Sequence, residues 1–148
     1  MTNVKRIVFA TDFSENSRKA EVMARDLRDN LGAELHVVHV FDPTTFEMPA
    51  PYFFMPGAHT WLQERLGDLK QRGEKHLSEY ATELGSCIPS LLEGKPGPVL
   101  VKYAEESAAD LIIMGTHGHT GVTRLVMGSV AQYVMRHTNI GVLTVRLN

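Results

Sequence analysis

Short apolar runs alternate with longer amphipathic stretches along the chain. Runs rich in β-branched residues and bounded by turn residues are typical of strands that are buried on both faces. Segments in which apolar residues recur every three or four positions are typical of helices that cover a sheet. The pattern predicts strands over Arg6–Ala10, Glu34–Phe41, Ile88–Leu92, Leu111–Gly115 and Gly141–Arg146. It predicts helices from Ser14 or Ser17 to Leu31 and over Trp61–Leu84, Val99–Ser107 and Val130–His137.

Strands that alternate with helices favour one architecture, an open α/β sheet. Short connections between a strand, a helix and the next strand imply parallel pairing with right-handed crossovers. Gly32 and Gly85 are predicted to end the first two helices, and Pro89 favours a sheet edge for the third strand. A chain of 148 residues suits one domain, which we expect to cover residues 1–148.

The stretch from 42 to 60 interrupts this alternation. Prolines disfavour regular structure over most of it, yet it is too aromatic for a purely solvated loop. A loop of this length is often functional. Three interpretations stay open: a loop that tucks its aromatic rings over the adjacent helix, a lid over a ligand, or a patch for a partner protein. The residues concerned are Pro43, Pro49, Pro51 and Pro56, with Phe46, Tyr52, Phe53 and Phe54.

Composition narrows the classes of protein and partner. Hydrophobic residues make up 43% of the chain and charged residues 22%, as in ordinary globular domains. A net charge of −2 gives no basic field for nucleic acid, and no apolar run approaches the ~18 residues that span a bilayer. Cys87 is the only cysteine, and no signal-peptide pattern opens the chain. We therefore expect a cytoplasmic protein without an internal disulfide.

The segment after the Leu111–Gly115 strand carries the candidate chemistry. It reads Gly115-Thr-His-Gly118, then nine residues, then Gly128-Ser129. Glycines can take positive φ and let a ligand lie against the main chain. Ser129 is predicted to cap the next helix, whose first amides suit an anion. The pattern matches neither a Walker A loop nor the dinucleotide fingerprint, but it indicates a nucleotide phosphate site. The alternative is a tight strand–helix connection without a ligand.

The whole pattern resembles a known family. Gly115-x2-Gly118-x9-Gly128-Ser129 matches the motif G-x2-G-x9-G-[ST] of ATP-binding universal stress proteins. The segments 7–14 (IVFATDFS), 109–115 (ADLIIMG) and 142–146 (VLTVR) resemble that family's first, fourth and last strands, in the same order. The resemblance covers nearly the whole chain. It implies a Rossmann-like, five-stranded parallel sheet of order 3-2-1-4-5 with helices on both faces, and a ligand crevice between strands 1 and 4.

The resemblance also implies a ligand and a set of contacts. The ligand is ATP, ADP or AMP, with Mg²⁺ as an optional companion of a triphosphate. Asp12 and the Val40 main chain meet the adenine, Gly115 lies near the ribose, and the later glycines and Ser129 hold the phosphates. Asp12 also fits a cap of the first helix, although ligand contact is favoured, and for Arg124 an exposed side chain without contacts is favoured over a phosphate contact. The expected set is Ala10, Thr11, Asp12, Val40, Met114, Gly115, His117, Gly118, His119, Arg124, Gly128, Ser129 and Val130.

The seven histidines do not predict a metal site. His36 and His39 stand three apart on a strand and therefore face opposite sides of the sheet. His117 and His119 lack nearby cysteine or carboxylate partners of the kind that complete a zinc site. We expect no metal ligand set in the chain itself.

Binding is favoured over catalysis. His117 and Asp12 are the only obvious general bases, and the signature loops of adenylyl transferases are absent after the first strand. We therefore expect a stress-response regulatory module. The alternative is a slow ATPase or adenylyl-transferring enzyme. An interaction protein that has lost its nucleotide site is disfavoured, because the motif glycines are intact.

The resemblance implies a homodimer, in which the last strand, Val142–Arg146, pairs with its copy. Such pairing would protect an exposed sheet edge. Two positions depart from the family pattern. Ala10 replaces a proline or valine, and Gly141 replaces the proline that usually precedes the last strand.

Overall fold

The computed structural model describes residues 3–117 and 127–146. Five strands and five α-helices alternate along this part of the chain, with a short 3₁₀ turn at Pro43–Thr45. The strands are β1 (Arg6–Ala10), β2 (Glu34–Phe41), β3 (Ile88–Glu93), β4 (Leu111–Gly115) and β5 (Gly141–Val145). The helices are α1 (Glu15–Leu31), α2 (Ala50–Phe53), α3 (Ala58–Leu84), α4 (Pro96–Glu106) and α5 (Ser129–His137).

The strands form one parallel sheet in the order β3-β2-β1-β4-β5. This confirms the predicted fold class and strand order. β3 lies at one edge, as Pro89 predicted, and β5 lies at the other. The order reverses between β1 and β4, so their carboxyl ends open a crevice at the top of the sheet.

Both faces of the sheet are covered, because alternate residues of each strand point to opposite sides. Phe9 and Ile113 belong to the core beneath α1 and α3. Val8 and Ile112 belong to the core beneath α4 and α5. These four side chains are fully buried. Burial on both faces explains why the central strands have continuous apolar sequences.

Element bounds follow the predictions closely for strands and less closely for helices. α4 begins at Pro96, three residues before the predicted start at Val99. Prolines fit there because the first turn of a helix needs no amide donors. α3 begins at Ala58 rather than Trp61. Gly32 and Gly85 end α1 and α3, as predicted, and both have positive φ.

The stretch from 42 to 60 is more regular than predicted, since it contains the 3₁₀ turn, α2 and the start of α3. Phe46 packs against Trp61, with ring centroids 6.1 Å apart. Tyr52, Phe53 and Phe54 remain exposed. The interpretation in which the loop tucks its aromatic rings over the helix is therefore wrong for these three residues. Among the described helices, none combines the length and apolarity that a membrane span requires.

Asp110 joins the start of β1 to the start of β4. Its Oδ2 accepts hydrogen bonds from the backbone N–H groups of Lys5 and Arg6, at 2.8 and 2.9 Å. These donors hold the pKa of the Asp110 carboxyl below its ordinary value of 3.8. A pKa that is depressed in the folded state gives stability above the unfolded pKa, and this stability is lost as pH falls through the folded pKa.

Asp110→Asn is therefore expected to destabilise the protein at neutral pH and to matter less in acid. The measurement is the urea midpoint of both proteins between pH 2 and pH 7, and the two curves should converge below about pH 4. Asp68→Asn, on the exposed side of α3, is the control and should track the wild type. A difference between Asp110→Asn and wild type that is constant with pH would contradict this account.

Candidate functional site

A cleft of about 380 Å³ lies where the carboxyl ends of β1 and β4 meet the start of α5. This is the crevice that the reversal of strand order predicts. Every described residue that the sequence placed at the ligand lines this cleft. These residues are Ala10, Thr11, Asp12, Val40, Met114, Gly115, His117, Gly128, Ser129 and Val130. The remaining predicted residues, Gly118, His119 and Arg124, lie outside the described residues.

The cleft also has lining residues that the sequence did not predict. Val38 stands two residues before Val40, so the two-residue period of β2 is a signal that could have found it. Leu100 lies on the buried side of α4, which apolar spacing indicates in principle. Thr45 and Pro96 come from connections whose path the sequence does not specify. The other unpredicted lining residues are Ser17, His39 and Thr116.

The turn after β1 is held by local hydrogen bonds. The Thr11 N–H donates to the Val38 carbonyl at 2.9 Å, which extends the β1–β2 pairing into the cleft. Asp12 Oδ1 accepts from the Ser14 N–H at 3.0 Å and from the Ser14 hydroxyl. Ser14 occupies the N-cap position of α1 without a side-chain cap bond, and Ser17 lies inside the helix. The Asp12 carboxylate thus stabilises the turn ahead of α1 while it lines the cleft.

Phe13 fixes this turn from the opposite face of the sheet. Its φ is 63°, a left-handed conformation that is rare for a bulky residue. The Phe13 ring stacks on His76 at 4.0 Å between centroids and contacts His39 at 4.4 Å and Tyr80 at 5.3 Å. The pKa of Tyr80 is raised above its ordinary value. Burial of the phenol is the larger cause, and a 2.6 Å hydrogen bond to Glu21 is the second. Ring packing therefore holds the strained backbone beside Asp12.

Two motif glycines serve close packing of the main chain. A Cβ on Gly115 would lie 3.0 Å from the Asn16 carbonyl oxygen, and one on Gly128 would lie 3.0 Å from the Thr116 carbonyl oxygen. Neither glycine has positive φ, so Gly115 and Gly128 are needed for the missing Cβ and not for backbone freedom. Glycine at these positions keeps the strand ends close to their neighbours, as a tight strand–helix connection requires.

The first residues of α5 line the cleft. Gly128, not Ser129, holds the N-cap position, and no side chain caps the helix. The prediction that Ser129 caps α5 is therefore wrong, because Ser129 is already the first helical residue. The Gly128 N–H donates to the Thr116 carbonyl at 2.6 Å. The next amides have no acceptor within the helix, and the positive end of its dipole attracts anions.

His117 is the cleft residue with an unsatisfied polar atom. Its Nδ1 lies 2.9 Å from the Thr116 hydroxyl oxygen. Its Nε2 is buried and has no hydrogen-bond partner in the described part of the chain. When the Thr116 hydroxyl donates to Nδ1, Nε2 carries the ring proton. A buried donor without an acceptor is costly, so Nε2 is a candidate hydrogen-bond donor to a ligand.

His36 and His39 lie on opposite faces of the sheet, as predicted. His36 hydrogen-bonds Tyr103 of α4 at 2.7 Å, whereas His39 contacts Phe13 on the opposite face of the sheet. Residues 3–117 and 127–146 contain no group of three metal-ligating side chains. Among the described lining residues of the cleft there is also no lysine or arginine. The candidate donors to an anion in this part of the cleft are therefore main-chain amides and the Nε2 of His117.

Fold and site together define an open parallel α/β domain with a ligand cleft at the reversal point of its sheet. The chain belongs to the universal stress protein family, whose model matches residues 3–146. Universal stress protein MJ0531 of Methanocaldococcus jannaschii is 34% identical over 145 residues, which cover 96% of this chain and 82% of that protein.

Solved structures show the same fold. Protein MJ0577 of the same organism superposes with a TM-score of 0.79 at 24% identity, over 99% of both chains. A universal stress protein in complex with cAMP superposes with a TM-score of 0.61 at 23% identity, over 97% of this chain and 98% of that one.

Proposed function

We propose that this protein binds an adenine nucleotide, ATP, ADP or AMP, in the cleft between β1 and β4, and acts as a regulatory module of the stress response. One observation carries the proposal. Three features line the same cleft: the first turn of α5, the ends of β1 and β4, and His117, whose Nε2 has no partner among the described residues. The relative in complex with cAMP supports the class of ligand.

The two sides of the cleft suit the two ends of a nucleotide. Val38, Val40, Leu100 and Met114 give one side an apolar surface for a planar base. The start of α5 and the end of β4 offer main-chain groups together with the hydroxyls of Thr116 and Ser129. The phosphates are assigned to Gly128, Ser129 and Val130, together with Gly118 outside the described residues, and the ribose to Gly115. Asp12 and the Val40 main chain are assigned to the adenine edge. Mg²⁺ accompanies a triphosphate in this arrangement.

Affinity in this site depends on the base as well as on the phosphates. The interaction of one negative charge with a helix N-terminus contributes roughly 0.3–1 kcal/mol to binding, and about 2 kcal/mol when the site is partly buried. Much of the remaining binding free energy must therefore come from burial of the base against the apolar side of the cleft.

Calorimetric titration with ATP, AMP, cAMP and GTP tests the proposal. We expect adenine nucleotides to bind and GTP to bind at least about tenfold more weakly, since a guanine presents a different edge to Asp12 and Val40. Absence of heat from all adenine nucleotides at millimolar concentration, with a correctly folded protein, would contradict the proposal.

His117→Ala is expected to weaken nucleotide binding about tenfold, because it removes one hydrogen bond worth about 1–1.5 kcal/mol. His117→Gln keeps a donor and should retain part of the affinity. His137→Ala, an exposed histidine at the end of α5, is the matched control and should bind as the wild type does. Equal affinity of all three variants and the wild type would remove His117 from the site.

The same His117 atom favours the second candidate function, a slow ATPase or adenylyl-transferring enzyme. When Nδ1–H instead donates to the Thr116 hydroxyl, Nε2 carries a lone pair and can act as a general base beside the assigned phosphates. A turnover assay with ATP separates the two functions. Slow or absent hydrolysis supports a binding module, whereas fast hydrolysis that His117→Ala abolishes supports an enzyme.

The proposed regulatory unit is a homodimer that pairs the β5 edges antiparallel. Val142–Val145 forms the free edge of the sheet next to β4, and such an edge is a template for pairing. We place this dimer in the cytoplasm, where the single Cys87 stays reduced. A monomer in sedimentation experiments at micromolar concentration would contradict the proposed homodimer.

A further inference from the structure

An exposed apolar surface covers the start of α3 and the segment before it. We call residues 48–61 the aromatic patch. Tyr52, Phe53, Phe54, Met55 and Trp61 are between 52% and 87% exposed. The other exposed large apolar side chains of the described chain are divided among α1, β3 and α5. The aromatic patch is therefore a concentrated feature and not the scatter that is normal for a protein surface.

The size of the aromatic patch matches half of a protein interface. Large aromatic side chains carry 150–250 Å² each, so these exposed fractions amount to roughly 600 Å². This lies at the upper end of what monomers expose, about 300–600 Å². A stable interface of standard size buries about 800 Å² on each partner. The aromatic patch alone thus offers about three quarters of one side of such an interface.

The shape of the aromatic patch is self-complementary. Phe53 and Phe54 form a ridge, with their rings edge to face at 5.8 Å between centroids. Beside the ridge lies an apolar groove of about 470 Å³. It is lined by Met48, Pro49, Tyr52, Met55, Pro56, Gly57, Ala58 and Trp61. A surface that carries both a ridge and a groove fits a copy of itself across a two-fold axis.

The charge of the aromatic patch also fits a copy of itself. Residues 48–58 contain no charged side chain, and Glu47 and His59 stand at the two ends. A two-fold interface brings identical charges together, so a neutral surface avoids repulsion. An anionic membrane would instead require a cluster of lysine or arginine.

Packing within the chain leaves this region without cover. No residue of α3 from Ala58 to His76 is buried, and the buried residues of the helix are Leu77, Ala81 and Leu84. The inward-facing Leu62, Leu66 and Leu69 are only half-buried. The sheet supports the second half of α3, and the first half projects with a partly exposed apolar face.

We propose that a second copy of this chain covers the aromatic patch, with the Phe53–Phe54 ridge of each copy in the groove of the other. This interface lies on α3, which packs on β2 and β3. The β5 edge is at the opposite end of the sheet. The two interfaces are therefore independent, and a chain that uses both forms a tetramer. The proposal does not depend on nucleotide binding.

Sedimentation equilibrium of the full chain tests the proposal. The double variant Phe53→Glu/Phe54→Glu removes the ridge and places two carboxylates in the apolar groove of the other copy, so its self-association should weaken at least about 100-fold. The assembly should halve, from tetramer to dimer or from dimer to monomer. The double variant Val22→Glu/Met23→Glu places the same two charges on exposed apolar sites of α1 and should sediment as the wild type does. An unchanged mass of the Phe53→Glu/Phe54→Glu variant would overturn the proposal.

Cross-linking locates the interface without removing its aromatic rings. In a Cys87→Ser background, Ala50→Cys adds a thiol at the border of the aromatic patch, and Lys102→Cys adds one on exposed α4. A short bismaleimide should give covalent dimers with Ala50→Cys and few with Lys102→Cys. Equal yields of covalent dimer from the two variants would contradict an interface at the aromatic patch. A monomeric wild type that co-sediments with neutral vesicles would overturn it in favour of lipid.

Discussion

Replacing Ile113 with alanine is expected to lower the free energy of unfolding by about 2–5 kcal/mol. Ile113 lies in β4, between Phe9 of β1 and Leu143 of β5, and its side chain is fully buried beneath α1 and α3. Truncation removes apolar contacts and leaves a cavity, because neighbours on a regular sheet relax only partially. Urea unfolding followed by circular dichroism measures the effect.

Ile88→Ala is the matched control for this prediction. It deletes the same atoms from β3, where the side chain is 43% exposed. The free energy of unfolding should fall by less than about 1 kcal/mol, because a half-exposed side chain at the sheet edge makes few core contacts. Similar losses for the two variants would contradict the assignment of Ile113 to the core that supports the cleft.

Replacing Ser129 with glutamate is expected to weaken adenine nucleotide binding at least about 100-fold. The carboxylate would stand in the first turn of α5, beside the amides assigned to the phosphates. Two like charges ~4 Å apart near a protein surface repel by about 4 kcal/mol, and about 2.7 kcal/mol already gives 100-fold. The fold should persist, because an acidic residue at a helix N-terminus is stabilising. Calorimetric titration with ATP and AMP checks the affinity.

Two variants control for this substitution. Ser129→Ala removes one hydroxyl and should weaken binding less than about tenfold. Ser78→Glu adds the same charge on the exposed side of α3 and should leave the affinity unchanged. Wild-type affinity in Ser129→Glu would mean that the phosphates do not lie at α5.

The sheet could be predicted from the sequence because its strands carry a strong physical signal. β1 and β4 are buried on both faces, and buried strands need continuous apolar residues. The bounds of these strands are therefore visible in the sequence. The ends of α1 and α3 are visible as well, because a glycine, Gly32 or Gly85, follows each helix. Strand order came from resemblance to a family, since parallel pairing leaves no local trace in the sequence.

Other features could not be predicted, because they depend on contacts between distant segments. The need for glycine at 115 arises from the Asn16 carbonyl on another segment. Pro96 reads as a turn residue until the position of the α4 start is known. The exposure of Phe53 and Phe54 depends on how far α3 projects beyond the sheet. These facts lie in the tertiary structure and not in local composition.

The most direct test of the central claim is a titration of ¹⁵N-labelled protein with AMP, followed by amide chemical shifts. The account predicts the largest changes at Asp12, Gly115, Gly128, Ser129 and Val130, with saturation and with little change in the aromatic patch. Absence of saturable shifts, or shifts confined to residues outside the cleft between β1 and β4, would contradict it.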